Sequence, residues 1–479
     1  MRKFHFYLLF AVVLLTQTLF NGCDQKSKTP VEPDRPDPTE KARETPEPKQ
    51  EPSSAPTSDP KPAMTPPATP APPAAAPEVN APEAKGVEEA ANPIIERKLL
   101  TADEAADGWI SLFDGTTLFG WKSTHEDINW TVTDGVITAD SGANGALMTT
   151  VPFADYELVC EYRMAAGGNS GVFLRSASPP TNPSADFYEV NIVDTHPQGY
   201  LTGSLAMRQK ATVDLPGSGD WQTLRMIAEG RKITVQHNDQ TVLEFTDESE
   251  QPLLNGLIGL QKNSGKIEFR KVNLKPRALT SLFNNSDLTG WTVVPGAKGE
   301  FLVADGAIHV KSGLGFLETE GTWKDFLFQT QVKTGAKDVN SGFFFRTLKG
   351  TEAAPSNGYE AQVHHGFKAG DRNQPENAGT GAIFRRVDAR RVVGNDLQWS
   401  TVTLVASGPQ IAAWVDGYQV VNWEDTRATD ENPRKGKRVE GGHFSLQGHD
   451  PTTDAFFREI RVVELPEWGA ATPETKPEN

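Results

Sequence analysis

The sequence predicts an all-β protein in which two tandem β-sandwiches follow a proline-rich stalk. Three observations lead to this prediction. Apolar and polar residues alternate with a period of two in many short segments, the region from residue 108 to residue 467 repeats itself once, and the chain before residue 96 is rich in Pro, Ala and Glu. Period-two alternation between Gly, Asn, Asp and Pro turns is typical of sandwiches, and no long helical periodicity competes with it.

The duplication is visible in short motifs. Ser-Leu-Phe at 111–113 returns at 281–283, and Asn-Ser-Gly at 169–171 returns at 340–342. The offsets, 281 − 111 = 170 and 340 − 169 = 171, agree to one residue. A period this long indicates whole domains rather than solenoid units. We therefore expect one domain at residues 108–276, a second at 278–467, and a disordered tail at 468–479.

Hairpin signals support the strand assignment within each copy. Residues 232–236 and 411–415 both alternate and both lead into short turns. The second turn contains Asp416-Gly417, a dipeptide that favours two-residue hairpin loops.

The N-terminus has the layout of an export signal. A basic start precedes a mostly apolar stretch from Phe4 to Phe20, and a glycine directly precedes Cys23. Residues 1–23 therefore resemble a bacterial lipoprotein signal with Cys23 as the lipidated residue. An uncleaved anchor helix is the alternative, although the stretch is near the lower length limit for spanning a bilayer. We expect an exported protein of the cell envelope, lipid-anchored to a membrane.

The stalk, residues 24–95, is proline-rich from Asp24 to about Asn92. This composition cannot bury enough apolar surface to fold, so we expect a disordered, semi-stiff tether.

Charge and cysteine content exclude some functions. The formal net charge is −16 and no Lys/Arg-rich run carries interleaved aromatics, so nucleic acid is not an expected partner. The other cysteine, Cys160, lies in an apolar-alternating segment and is expected to be a small buried residue.

One strand of each copy carries a polar face. In the second copy, alternation places Glu360, Gln362 and His364 together. In the first copy, Glu189 and Asn191 share the corresponding face. The face could be an ordinary solvated one, but Glu and Gln are poor strand formers, which favours a binding or catalytic site.

An arginine ends the preceding strand in both copies, Arg175 in the first and Arg346 in the second. Each could be an exposed charge at a strand end. Each could also orient a sugar hydroxyl or carboxylate through its planar donor fork.

Taken together, these motifs resemble the 3-keto-disaccharide hydrolase family. The shared features are S-L-F-x-x-x-x-L-x-G-W, N-S-G-x-F-x-R, Y-E-x-[QN], a Trp strand, and a terminal L-Q-x-[HN] with F-R-x-[IV]. The resemblance covers roughly Gly108 to Pro276 and Ala278 to Glu467. It implies a concanavalin A-like jelly roll and the activities 3-keto-glycoside 1,2-lyase and 3-keto-2-hydroxy-glucal hydratase, with a 3-keto-sugar or another carbohydrate as ligand.

The chemistry implied by the resemblance needs a base for the C2 hydrogen, a stabiliser for the resulting enolate and a donor for the leaving oxygen. The catalytic candidates are His449, Glu360 and His364, with His365 as a further possible base. The substrate-binding candidates in the second copy are Arg346, Gln362, Arg385, Gln447 and Asp450. Those in the first copy are Arg175, Glu189, Asn191 and Gln261.

Two questions stay open at this level. A divalent metal ion held by Glu360 and a histidine such as His364 could polarise the sugar oxygens. The first copy has Lys262-Asn263 where the second has Gly448-His449, so we expect catalysis mainly in the second copy. The rival functions are a non-catalytic carbohydrate-binding module and a purely structural cell-surface protein, because one sandwich fold hosts many functions.

Overall fold

The computed structural model describes residues 99–432 and 434–467. The predicted signal, the stalk, Cys23 and the tail at 468–479 lie outside these residues. Strands dominate the described part of the chain, with one short helix, α1 (Ala102–Ala106), before the first sandwich and a 3-10 turn at Lys368–Gly370. No helix within the described residues is long and apolar enough to cross a membrane.

The first sandwich consists of an eight-stranded and a five-stranded antiparallel sheet. Its strands are β1 (Ile110–Ser111), β2 (Trp121–Ser123), β3 (Thr131–Thr133), β4 (Val136–Ala139), β5 (Gly145–Thr149), β6 (Tyr156–Met164), β7 (Asn169–Ser176), β8 (Tyr188–Val193), β9 (Gln222–Glu229), β10 (Lys232–His237), β11 (Gln240–Thr246), β12 (Leu257–Lys262) and β13 (Ile267–Pro276). The larger sheet has the order β11-β10-β9-β6-β13-β4-β3 with β1 also paired to β13, and the smaller has the order β2-β5-β12-β7-β8.

The second sandwich repeats this arrangement strand for strand. Its strands are β14 (Thr280–Ser281), β15 (Trp291–Val293), β16 (Glu300–Ala304), β17 (Ala307–Lys311), β18 (Gly315–Thr319), β19 (Phe326–Thr334), β20 (Ser341–Thr347), β21 (Tyr359–Val363), β22 (Ser400–Ser407), β23 (Gln410–Val415), β24 (Tyr418–Glu424), β25 (His443–Gly448) and β26 (Asp454–Glu464). The sheet orders are β16-β17-β26-β19-β22-β23-β24, with β14 on β26, and β15-β18-β25-β20-β21. The predicted all-β fold with two tandem sandwiches of the jelly-roll type is confirmed.

The core of each sandwich lies between its two sheets. Apolar residues from both sheets form one buried cluster in each copy, as period-two strands require when one face is covered. Cys160 lies within the first cluster and is fully buried. Trp121 and Trp291 are buried at equivalent positions, and each indole N–H donates to a backbone carbonyl, that of Leu112 or Leu282.

The two sandwiches contact each other through specific bonds. The indole Nε1 of Trp414 donates to the Ser111 carbonyl at 3.1 Å, and Arg390 Nη1 donates to Asp114 Oδ2 at 2.8 Å. Leu100, which precedes the first sandwich in the chain, packs into the core of the second. The first sandwich therefore braces the loop that carries Arg390.

The predicted hairpin at Asp416-Gly417 joins β23 to β24. Val415 pairs with Tyr418, and both turn residues have positive φ, 46° and 78°. Glycine and aspartate tolerate this left-handed conformation better than most residues.

Candidate functional site

The site face of the second sandwich is the outer side of its five-stranded sheet. Leu317, Phe343, Ala361 and Leu446 point inward to the core, so their neighbours along each strand point outward. The register places two adjacent rows across β18, β25, β20 and β21: Phe316, Gln447, Gly342 and Gln362 in the first, and Glu318, Ser445, Phe344 and Glu360 in the second.

Glu360 and Gln447 form a pair that spans Gly342. Gln447 hydrogen-bonds the Glu360 carboxylate, and a Cβ on Gly342 would lie 3.4 Å from Gln447 Oε1 and 3.5 Å from Glu360 Cγ. These two distances are ordinary contacts, but the same Cβ would lie 2.8 Å from the Ala361 carbonyl oxygen, so the backbone of β21 favours glycine at this position of the repeated Asn-Ser-Gly motif. Burial raises the pKa of Glu360 above its ordinary value, against the opposing effects of Arg434, His449, Gln447 and Arg385. A carboxyl with a raised pKa is better able to hold a proton and to donate it.

His449 and Asp450 form a second pair at the rim, just after β25 ends. His449 Nδ1 lies 2.8 Å from Asp450 Oδ2. Burial alone would raise the pKa of Asp450. The hydrogen bonds from Thr452 and His449 together have a larger, opposite effect, so the pKa lies below its ordinary value. An ionised carboxylate only accepts hydrogen bonds, so Nδ1 carries the hydrogen. In the neutral form of the ring, Nε2 then carries no hydrogen and can accept a proton.

Two arginines face the Glu360 carboxylate from separate loops. Arg434 Nη2 lies 3.8 Å from Glu360 Oε2, and its guanidinium lies 5.8 Å from the centre of the Phe344 ring. The residue before Arg385, Phe384, donates its backbone N–H to the Glu360 carbonyl oxygen at 2.9 Å, which ties the loop that carries Arg385 to β21. Both arginines are exposed, so their positive charges can stabilise a developing oxyanion.

Several side-chain oxygens on this face are buried without a hydrogen-bond partner among the described residues. They are Gln362 Oε1, Gln447 Oε1 and Ser445 Oγ. A buried polar atom left unpaired costs about 1–3 kcal/mol. Hydroxyl groups of a sugar could donate to these oxygens, which is consistent with a carbohydrate site.

The remaining histidine candidates lie on different sides of the strand. His364 is buried on the side of Gln362 and accepts a hydrogen bond at Nδ1 from Gly366 N, 3.1 Å away. His365 points to the opposite side, where burial lowers its pKa to about 4. Its ring is therefore neutral, and its Nδ1 lies 3.3 Å from Thr380 Oγ1. The ring lies on the side of the strand away from the Glu360 face.

The pair that sequence reasoning suggested for a metal is poorly placed to share one ion. Glu360 and His364 are four residues apart on an extended chain, roughly 13 Å between Cα atoms, whereas ligand bonds are about 2 Å long. Within residues 99–432 and 434–467, no three His, Cys, Asp or Glu side chains group as ligands for one ion.

The expectation that Arg346 and Arg175 bind substrate needs correction. Both have no exposed surface. Arg346 donates to the carbonyls of Lys324, Gly408 and Arg438 and to Asp325, at 2.7 to 2.9 Å. Arg175 makes the corresponding contacts to Ala154, Gly230, Leu253 and Asp155. A buried guanidinium occupied in this way ties loops together and cannot reach a sugar in this conformation.

The first sandwich keeps the carboxyl–amide pair and changes its surroundings. Gln261 hydrogen-bonds Glu189, and burial raises the pKa of Glu189 to about 7. Asn191 lies beside Gly171 in the same sheet, as Gln362 lies beside Gly342. By strand register, Ala146 corresponds to Phe316 of the second copy and Met148 corresponds to Glu318. By equivalent loop hydrogen bonds, Met207 corresponds to Arg385.

Sequence reasoning missed three residues of the site face. Glu318 is buried and accepts the Gly350 amide at 2.9 Å, and Phe344 forms part of the apolar floor. A charged residue inside an apolar strand could have revealed Glu318. Arg434 belongs to a basic run at 434–438 in an otherwise acidic protein, which was the available signal for it.

Comparisons with known proteins find relatives with hydrolase and carbohydrate-binding names. A 3-keto-disaccharide hydrolase of Bacteroides thetaiotaomicron is 28% identical over 229 residues, which cover 36% of this chain and 79% of that protein. A solved candidate glycosyl hydrolase from Parabacteroides distasonis ATCC 8503 is 18% identical, with a TM-score of 0.32 over 37% of this chain and 97% of that one. A carbohydrate-binding module from Bacillus subtilis is 15% identical, with a TM-score of 0.26 over 33% of this chain and 95% of that one.

The family comparison covers both sandwiches. The model of the 3-keto-alpha-glucoside-1,2-lyase-like domain matches residues 108–275 and again residues 278–463. These two matches span most of the chain. The protein therefore belongs to the family of 3-keto-alpha-glucoside-1,2-lyase-like domains and carries two tandem copies of the domain.

Proposed function

We propose that the second sandwich cleaves glycosides oxidised at C3 by elimination followed by hydration, with net hydrolysis of the glycosidic bond. The observation that carries this proposal is the presence at one sheet face of a buried carboxyl with a raised pKa, Glu360, and an imidazole oriented by Asp450, His449. Two titratable groups with opposite environments are suited to opposite proton transfers. Membership of the family supports the same substrate class.

The elimination step uses both groups. The C3 ketone acidifies the C2 hydrogen, and His449 Nε2 removes that proton, leaving an enolate with its charge on the C3 oxygen. Arg385 and Arg434 stabilise this charge. The electron pair then forms the C1–C2 double bond as the C1–O bond breaks, and protonated Glu360 gives its proton to the leaving oxygen.

Hydration reverses the two roles. Water adds its oxygen to C1 after losing a proton to the Glu360 carboxylate, and His449 returns a proton to C2. The product is the free 3-keto-sugar, and both residues recover their starting protonation states. Gln362, Gln447 and Ser445 lie on the same outward face, and small movements of their side chains would let their unpaired oxygens accept hydrogen bonds from the sugar hydroxyls.

The proposal also places the protein outside the cytoplasm on a lipid anchor at Cys23. Its support is the N-terminal sequence alone: an apolar stretch that ends in glycine and cysteine, followed by a Pro-rich stalk. The two sandwiches would then work at a distance from the membrane surface.

The direct test compares oxidised with unoxidised substrates. The full chain is incubated with 3-keto-glycosides and, in parallel, with the same glycosides carrying an ordinary C3 hydroxyl. We expect free 3-keto-sugar from the first set only, since C2 is not acidic without the ketone. Cleavage of both sets, or of neither, contradicts the proposal, and in the second case binding without turnover would favour a carbohydrate-binding module.

A further inference from the structure

The first sandwich contains an open cleft on the same sheet that carries the site face in the second. The cleft has a volume of about 220 Å³. A cavity of about 150 Å³ accommodates a six-membered ring such as benzene. The cleft can therefore hold one sugar ring.

One small residue on the floor distinguishes the cleft from the same place in the second copy. Ala146 lies opposite Gln261 on the floor, and its counterpart Phe316 lies opposite Gln447 in the second copy. Phe316 is buried there and meets the Phe344 ring edge-on at 5.4 Å. In the second sandwich, the phenyl ring of Phe316 occupies the space that Ala146 leaves open in the first.

The walls combine apolar and polar groups in the manner of a sugar site. Phe173 and Phe187 are stacked with ring centres 4.1 Å apart. Both are largely buried, and the parts that reach the cleft supply its apolar wall. Asn144, Asn263 and Thr181 line the cleft with amide and hydroxyl groups, and Gln261 Oε1 is buried there without a partner in the described residues.

The charges at the cleft favour a neutral ligand. Lys262 is the cationic side chain of the lining, and its ammonium donates to the Gly142 carbonyl at 2.7 Å. The position of Arg385 in the second copy is held by Met207 in the first. Asn263 takes the place of His449 and cannot transfer a proton at neutral pH.

We propose that this cleft is a second, non-catalytic site that binds one neutral sugar ring of a glycoside, packed against the apolar wall of Phe173 and Phe187 and hydrogen-bonded by Gln261 and Asn263. The site does not depend on the activity of the second sandwich, because it involves none of its residues. It would hold a saccharide next to the catalytic copy on the same chain and so raise the local concentration of substrate.

The test measures binding of unoxidised maltose, cellobiose and trehalose to the full chain by calorimetry and saturation-transfer NMR. We expect at least one of them to bind. Ala146→Phe, which installs the residue found at this position in the second copy, should weaken that binding at least tenfold. Asn263→Ala should weaken it several-fold, and this variant decides the question if Ala146→Phe does not fold.

The matched control is Glu360→Gln, which alters the second site face only. It should leave the binding of unoxidised disaccharide unchanged. The proposal is overturned if none of the three sugars binds. It is also overturned if binding is undiminished in folded Ala146→Phe or in Asn263→Ala, or if binding is lost in Glu360→Gln. None of these results bears on cleavage of 3-keto-glycosides, which is tested separately.

Discussion

At the scale of single residues, the same carboxyl–amide pair serves two environments. Glu189 and Glu360 each accept a hydrogen bond from a glutamine across a glycine, and burial raises the pKa of both. Only Glu360 has arginines and a histidine within electrostatic reach. The difference in neighbours, rather than in the pair, distinguishes a proposed catalytic site from a proposed binding site.

Replacement of His449 by alanine tests the proposed base. We expect turnover of a 3-keto-glycoside to fall roughly 10²- to 10⁴-fold, the usual effect of losing a general base. The fold should be unaffected because the side chain lies at the rim and is 43% exposed. Steady-state kinetics and thermal melting measure the two effects.

The matched control for this variant is His309→Ala. His309 also pairs with a carboxylate, Asp454 at 2.6 Å, but it lies on the opposite sheet. Its loss should leave turnover near that of the parent. Equal rates for the His449→Ala enzyme and the parent would remove His449 from the mechanism.

The raised pKa of Glu189 predicts a pH-dependent stability cost. The unfolded carboxyl ionises near 4.5 and the folded one at about 7, so the folded state binds more protons between these values. Stability is therefore lost as pH rises from about 4.5 to about 7. The shift corresponds to an upper limit of about 3 kcal/mol.

The variant Glu189→Gln should remove this dependence. Urea unfolding between pH 4 and pH 8 should show little difference from the parent at the acid end and a more stable variant at the alkaline end. A parent and a variant whose difference in unfolding free energy is constant across this range would contradict the raised pKa.

At the scale of strands, the register explains which predictions succeeded. Period-two alternation correctly put Glu360 and Gln362 on one outward face, because β21 is regular between Tyr359 and Val363. The sequence offered two roles for Arg346, an exposed charge at a strand end or a sugar ligand, and its complete burial fits neither. The register of β20 against β25 shifts between Phe344 and Thr347, and Arg346 has a positive φ of 52°.

A β-bulge of this kind redirects side chains, and no sequence periodicity reports it. Arg175 has the same feature, with φ of 51°. Arg434 was missed for a different reason: it reaches the site from a loop about 70 residues along the chain from Glu360, and only the folded topology brings the two together. The fold and the site face could thus be predicted from pattern, but the loop residues around them could not.

Substitution of Gly342 by alanine tests the close approach of β20 and β21. The added Cβ would lie 2.8 Å from the Ala361 carbonyl oxygen, so β21 must move and carry Glu360 with it. Misplacement of a catalytic group by about 1 Å can cost on the order of 10² in rate. We expect a loss of this size, measured as kcat on a 3-keto-glycoside.

The counterpart Gly171→Ala provides the control. Its Cβ would also meet a neighbour at 2.8 Å, but that neighbour is the Glu189 carboxylate of the first sandwich. The second site face is untouched, so kcat should change little. Similar losses in both variants would show that the effect is general destabilisation rather than displacement of Glu360.

At the scale of the whole molecule, two sandwiches with one topology divide two proposed tasks. Arg390 lies over the Phe119 ring at 4.2 Å while bonded to Asp114, so a loop of the second copy rests on the first. The proposed lipid at Cys23 and a stalk with a maximum reach of roughly 200 Å, at about 3.1 Å per residue, would hold this pair away from a membrane.

The anchor is tested by Cys23→Ser. We expect the parent to fractionate with membranes and to incorporate a radiolabelled fatty acid. The variant should remain unprocessed and should incorporate no label, because serine lacks the thiol that is acylated. Identical fractionation, electrophoretic mobility and labelling of the two proteins would show that residues 1–23 are not a lipoprotein signal.

The central claim is cleavage through C2 proton removal, and deuterium incorporation tests it most directly. The full chain is allowed to cleave a 3-keto-glycoside in D₂O, and C2 of the released 3-keto-sugar is examined by NMR and mass spectrometry, with free product incubated alone to correct for spontaneous exchange. His449 is exposed at the rim, so the proton it takes from C2 exchanges with solvent before hydration. Elimination and rehydration therefore predict deuterium at C2 of the product. A product that keeps its original hydrogen at C2 would show that the glycosidic bond is broken by direct hydrolysis, which contradicts proton removal by His449.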